Sequence, residues 1–145
     1  MTHIATPVLR HATCVAIDGH GVLLCGASGS GKSDLALRLI DRGAVLVADD
    51  ICEIRLDGGA VLVSPPATTA GSFEVRGIGI IAMPYLELAP VRLIVDLVDC
   101  YPRMPDHADT YAQIAAIDIA RIAINPFENS APHKVQLALA RAIRN

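Results

Sequence analysis

Apolar and polar positions along the chain fall into blocks whose period changes several times, and each change marks an expected element. Residues 12–17 and 22–25 are short apolar runs separated by Asp18-Gly19-His20-Gly21, which supplies turn chemistry between two strands. Over residues 32–42 the spacing turns helical: Leu35, Ala36, Leu39 and Ile40 share one face, and Asp34, Arg38, Asp41 and Arg42 the other. Gly43 stands where a helix-ending glycine belongs. The run AVLVA at 44–48 does not alternate, which suits a strand covered on both faces, and it stops abruptly at Asp49-Asp50.

Residues 52–56 and 60–64 flank Asp57-Gly58-Gly59 and predict a β-hairpin ended by Pro65-Pro66. The segment FEVRGIGIIAMP carries two glycines and reads as irregular, whereas residues 91–98 form another strong strand. A polar, proline-containing loop covers 99–110, and 111–124 fits either short strands or a helix. Ser130 and Pro132 can start a final helix striped by Val135, Leu139, Ala142 and Ile143. Strands alternating with helices, with no repeat or linker, predict one α/β domain with a mixed sheet over residues 1–145.

Composition narrows the function classes. The chain has 145 residues, enough for one core, and 52% of them are hydrophobic. A net charge of −3 without a basic run, and 3% aromatics, argue against a nucleic-acid partner. No apolar stretch reaches spanning length and no signal-peptide pattern opens the chain, so no membrane partner is expected. Cys14, Cys25, Cys52 and Cys100 are widely spaced, which fits reduced thiols and a cytoplasmic protein better than zinc or disulfides.

The sharpest local signal is GASGSGKS. Gly26, Ala27, Ser28, Gly29, Ser30, Gly31, Lys32 and Ser33 satisfy G-x-x-x-x-G-K-[ST] between an expected strand and an expected helix. Such a loop curls backbone N–H groups around phosphates at a helix N-terminus. Lys32, expected at an exposed junction with no folding role, would contact the β- and γ-phosphates, and the Ser33 hydroxyl would ligate Mg²⁺. ATP and Mg²⁺ are the expected ligands. Asp49 and Asp50 leave a strand end, where α/β sheets bind ligands. Both could start a turn, Asp49 could position Mg²⁺, or one of them could accept a proton from an acceptor hydroxyl; spacing does not separate the last two.

GASGSGKSDLALRLIDRGAVLVADD and FEVRGIGIIA together resemble the P-loop, catalytic aspartate region and signature segment of bacterial HPr kinase/phosphorylase, with the likeness running from about His11 to Ile124. The resemblance implies a P-loop fold related to phosphoenolpyruvate carboxykinase and transfer of phosphate from ATP to a serine of HPr, the phosphocarrier of the sugar phosphotransferase system. It also implies roles: His11 as an active-site histidine, Asp49 as the proton acceptor, Glu74 as an Mg²⁺-associated acid, and Arg103 as a catalytic arginine. Arg76, Gly77 and Gly79 match the signature. From the residues alone His11 reads as a turn or surface position, Glu74 and Arg76 as a solvated strand edge, and His3, His20, His107 and His133 as surface groups.

Members of that family form hexamers, so a homo-oligomer is a further expectation. They carry an additional N-terminal domain with no counterpart in these residues. Their basic segment near the C-terminus is replaced here by NPFENSAPHKV, so reverse phosphorolysis is expected to be weak. Two other functions fit the same motifs: a nucleotide-sensing module without phosphoryl transfer, and a small-molecule kinase on the same scaffold.

Overall fold

The computed structural model describes residues 6–144, and His3 lies outside them. The strands are β1 (Val8–His11), β2 (Thr13–Ile17), β3 (His20–Cys25), β4 (Val45–Ala48), β5 (Ile51–Asp57) and β6 (Ala60–Ser64). They continue with β7 (Ser72–Val75), β8 (Gly79–Ala82), β9 (Ala89–Leu97), β10 (Tyr111–Ile114) and β11 (Ile117–Ile124). The helices are α1 (Lys32–Asp41) and α2 (Ala131–Arg144).

A mixed, nine-stranded sheet runs in the order β1-β5-β6-β9-β3-β2-β4, with β11 also joined to β9 and β10 to β11. β9 lies parallel to β3 and β11, while β2 is antiparallel to both β3 and β4. β3 shows why its sequence lacks alternation: Val22 and Leu24 join the core under α1 and α2, and Leu23 joins a second core with Val47, Ile54, Val63 and Ile94. Both faces are dry, and each buried leucine contributes about 1.5–3 kcal/mol by leaving water. Among the described residues, no helix is long and apolar enough to cross a membrane.

Helix α1 turns Leu35, Ala36 and Leu39 into the first core, as its spacing predicts. It stops in a Schellman motif: Ala44 N–H donates to the Leu39 carbonyl and Gly43 N–H to that of Ile40, both at 3.0 Å, with Gly43 at φ 106°. At its start, Gly31 (φ 99°) provides no capping side chain.

Three expectations change. His20 and Gly21 belong to β3, so the β2–β3 turn is only Asp18-Gly19, both left-handed. The segment read as irregular is the β7–β8 hairpin, in register from Ser72↔Ala82 to Val75↔Gly79. Residues 111–124 resolve to strands, paired from Tyr111↔Ala120 to Ile114↔Ile117 around Ala115-Ala116 at φ 51° and 66°.

Candidate active site

The sheet brings three chain segments to one point. β3 ends at Cys25 and releases the glycine loop; β4 ends at Ala48 and releases Asp49-Asp50; between them β2 starts at Thr13 because it runs the opposite way. This is the carboxyl-end crevice where α/β sheets hold ligands.

The loop is shaped for close backbone approach. A Cβ on Gly26 would meet Ser30 Oγ at 2.4 Å, so any larger residue there would have to push Ser30 aside. The Ser30 hydroxyl is buried without a hydrogen-bond partner among the described residues. Lys32 differs from expectation: it is buried, at 6% exposure, and its ammonium donates to the carbonyls of Gly26 (2.7 Å) and Ala27 (3.2 Å). The lysine therefore closes the loop on itself.

The two aspartates have different environments. Asp49 Oδ1 accepts from Ser33 Oγ and Thr13 Oγ1, both at 3.1 Å, and its Oδ2 accepts from the Glu74 N–H at 3.0 Å. Asp50 is turned outward, its side chain 65% exposed, with Oδ1 2.5 Å from His11 Nε2. The turn between them explains the divergence. Ile51 N–H reaches back to the Asp49 carbonyl at 2.8 Å, and Asp50 sits at φ 69°, a conformation that costs a non-glycine residue energy. Thr13 Oγ1 also accepts the Asp50 N–H at 3.2 Å and so ties both acids to β2. His11 is no turn residue: it ends β1, opposite Ile51.

A cleft of about 550 Å³ opens over these groups. Its floor includes Lys32, Ser33, Asp49 and Asp50, one wall carries Glu74 and Arg76 from β7 and its turn, and Phe127 stands at the loop. Arg103 does not line it; this residue is exposed on the loop that follows β9. A larger hollow of about 880 Å³ beside β9, β11 and α2 shares no residue with the cleft.

The donor set suits a hard cation. Ser33 Oγ and the Asp49 carboxylate are adjacent oxygens beside the phosphate loop, and Glu74 lines the same cleft. Among the described residues, no three His, Cys, Asp or Glu side chains gather into a metal cage. Magnesium commonly takes one or two carboxylates and completes its shell with water and substrate phosphates.

Two residues of the site carry no sequence signal. Thr13 reads as one more β-former in an apolar strand, yet it is fully buried at the hub of the acid pair. Phe127 sits in a segment notable in the sequence only for its lack of basic charge, and is brought to the loop by the end of β11.

A strand, a glycine loop closed by its own lysine, a helix, and acids at the end of the strand beyond β2 define a P-loop type of α/β protein. The model of the HPr Serine kinase C-terminal domain matches residues 2–125, and the chain belongs to that family. It is 37% identical over 138 residues to the HPr kinase/phosphorylase of Caldicellulosiruptor bescii, covering 86% of this chain and 44% of that protein. With the HPr kinase/phosphorylase of Clostridium tetani the identity is 49% over 83 residues, 57% of this chain and 27% of the relative. The chain thus spans less than half the length of these curated relatives. The solved structure of the Hpr(Ser) kinase/phosphatase from Coxiella burnetii superposes with a TM-score of 0.79 at 30% identity, covering 94% of this chain and 90% of that one.

Proposed function

We propose that this chain transfers the γ-phosphoryl group of ATP to a serine hydroxyl of an HPr-type phosphocarrier protein, in the cytoplasm. Family membership supports the reaction class. The observation that carries the mechanism is the division of labour between the two acids: Asp49 accepts from three donors, whereas Asp50 faces the cleft mouth beside His11.

In this reading Asp50 is the proton acceptor. The acceptor serine oxygen attacks the γ-phosphorus, its proton passes to Asp50, and the bond to the β-phosphate oxygen breaks, releasing ADP. His11 orients the Asp50 carboxylate. Asp49, given the proton-accepting role by the family resemblance, instead fixes the Ser33 hydroxyl. Lys32 exchanges its loop carbonyls for phosphate oxygens, and Arg76, which has no ion-pair partner among the described residues, offsets charge on the moving phosphoryl group. Ser33, Asp49 and Glu74, which line the one cleft, would hold Mg²⁺, and the ion would supply charge neutralisation to the phosphates. Arg103 stands outside the cleft, so the step is written without it.

Reverse transfer to inorganic phosphate is proposed to be weak. The one lysine in the 125–135 segment, Lys134, already donates to Tyr101 Oη at 2.7 Å and to Glu128 at 3.2 Å.

The test is transfer of label from ATP, with Mg²⁺, to an HPr-type protein. Asp50→Asn should keep nucleotide binding and lose at least about a hundredfold in transfer, the usual scale for a general base. Asp49→Asn should also weaken binding of Mg·ATP. If only Asp49→Asn loses transfer, the roles are reversed. Tight ATP binding with no label on any phosphocarrier would favour the sensing module.

A further inference from the structure

The chain has two phenylalanines, and their environments are opposite. Phe73 is buried in the core; Phe127 is 64% exposed on the rim of the phosphate cleft. A single exposed ring needs no special account, but here the backbone that carries it is tied down at two points and the ring rests on the loop. Asn125 Oδ1 accepts the Phe127 N–H at 2.9 Å. The Arg38 guanidinium, also paired with Asp34 on α1, donates to the flanking carbonyls of Pro126 and Glu128. The ring itself lies so close to Gly31 that a Cβ there would come within 3.2 Å of Cζ. One part of the ring thus rests on the loop and the rest stays in water. A ring carried on anchored backbone and resting on the loop has less freedom to lose when a ligand covers it.

Topology says what would cover it. Asp49 and Asp50 leave the sheet from β4, on the β2 side of β3. On the other side of β3 come β9 and then β11, and β11 delivers residues 125–128. A triphosphate is a linear chain. With its terminal phosphate beside the acids, its nucleoside end leaves the loop on the β11 side, where Phe127 stands.

We propose that Phe127 is the nucleobase platform of this site, the exposed part of its ring stacking on the base of the nucleoside triphosphate whose phosphates occupy the 26–33 loop. The inference rests on the phosphate-loop reading given above. It names an aromatic base as what the rim recognises, not a particular base, since every base offers a π-face.

The experiment is calorimetry of Mg·ATP and of inorganic tripolyphosphate with Mg²⁺, on wild type, Phe127→Ala and Phe127→Trp. Phe127→Ala should weaken ATP about tenfold, within the range for loss of one base–aromatic stack, and leave tripolyphosphate unchanged. The chain has no tryptophan, so Phe127→Trp introduces a single reporter; its emission should change with ATP and not with tripolyphosphate. Equal weakening of both ligands by Phe127→Ala would make the ring a mere prop for Gly31 and overturn the proposal. So would unchanged affinities, which would leave the ring to a protein partner. Wild type binding tripolyphosphate as tightly as ATP would sink the platform alone, while binding neither would end the phosphate-loop reading and the platform with it.

Discussion

Replacing Lys32 should destabilise the protein before any nucleotide is added. A lysine that merely waits for phosphate would be exposed and thermally neutral; this one is 6% exposed and makes two charge-assisted hydrogen bonds, at 2.7 and 3.2 Å, to its own loop. Each such bond contributes roughly 1.5–3 kcal/mol. The Ala27 carbonyl keeps the Ser30 N–H at 3.0 Å after the change, so the lasting loss falls on the Gly26 carbonyl. A net cost of about 2 kcal/mol follows, which is about 4–8 °C in Tm for a chain of this size. Thermal unfolding of Lys32→Met without nucleotide measures it, since methionine keeps the apolar stem and removes only the donors. Calorimetry on the same variant should show weakened ATP binding. A Lys32→Met protein that melts with wild type would refute the account of the loop as closed by its lysine.

Other outcomes follow from groups outside the cleft. Glu128 is held below the usual carboxylate range, first by the Tyr101 hydroxyl and then by Lys134, while Lys134 is pushed up by the same hydroxyl and by Glu128. This contact therefore stabilises the fold above the ordinary carboxylate range, weakens as pH falls through the lowered Glu128 value, and weakens again as pH rises through the raised Lys134 value. Carboxyl NMR titration should find Glu128 low in wild type and higher in Tyr101→Phe, where Lys134 alone still lowers it. Among the thiols, Cys100 is exposed, Cys14 and Cys52 are buried, and burial pushes Cys52 up to about 12. A disulfide reagent at neutral pH should modify Cys100 first, Cys25 more slowly, and Cys14 and Cys52 only on unfolding; fast loss of all four thiols from folded protein would contradict the core described above.

The readable parts of the fold are those where one local rule acts alone. Leu35, Ala36 and Leu39 needed only helical spacing, Gly43 only its left-handed φ, and the 44–48 run only the absence of alternation. Local rules failed where glycine or alanine took an unusual role. Gly77 and Gly79 interrupt FEVRGIGIIA, yet they turn a regular hairpin, with φ of 89° and 115°. Ala115-Ala116 makes a two-residue turn normally given to asparagine or glycine, so nothing in the sequence separates strand from helix there. β1 is short and its Val8 and Leu9 stay exposed, so no apolar signal marks it as the strand that carries His11.

The site divides on different grounds. The phosphate loop is contiguous, so its chemistry can be read from eight residues. The acid pair is contiguous too, but its meaning depends on three segments that meet only in the fold. Thr13 and Ser33 approach Asp49 from strand and helix, the Glu74 amide closes its second oxygen, and the left-handed turn at Asp50 sends the next carboxylate toward His11. In a regular strand continuing past Ala48, the two side chains would point to opposite faces of the sheet, and only one would reach the cleft. The turn keeps both at the mouth and gives them unequal partners. Three donors fix the Asp49 carboxylate in place, whereas Asp50 keeps an oxygen open toward the cleft mouth beside the His11 imidazole. The difference between two adjacent aspartates therefore comes from backbone conformation, which the sequence does not display, and the resemblance gave the proton-accepting role to Asp49 without that information.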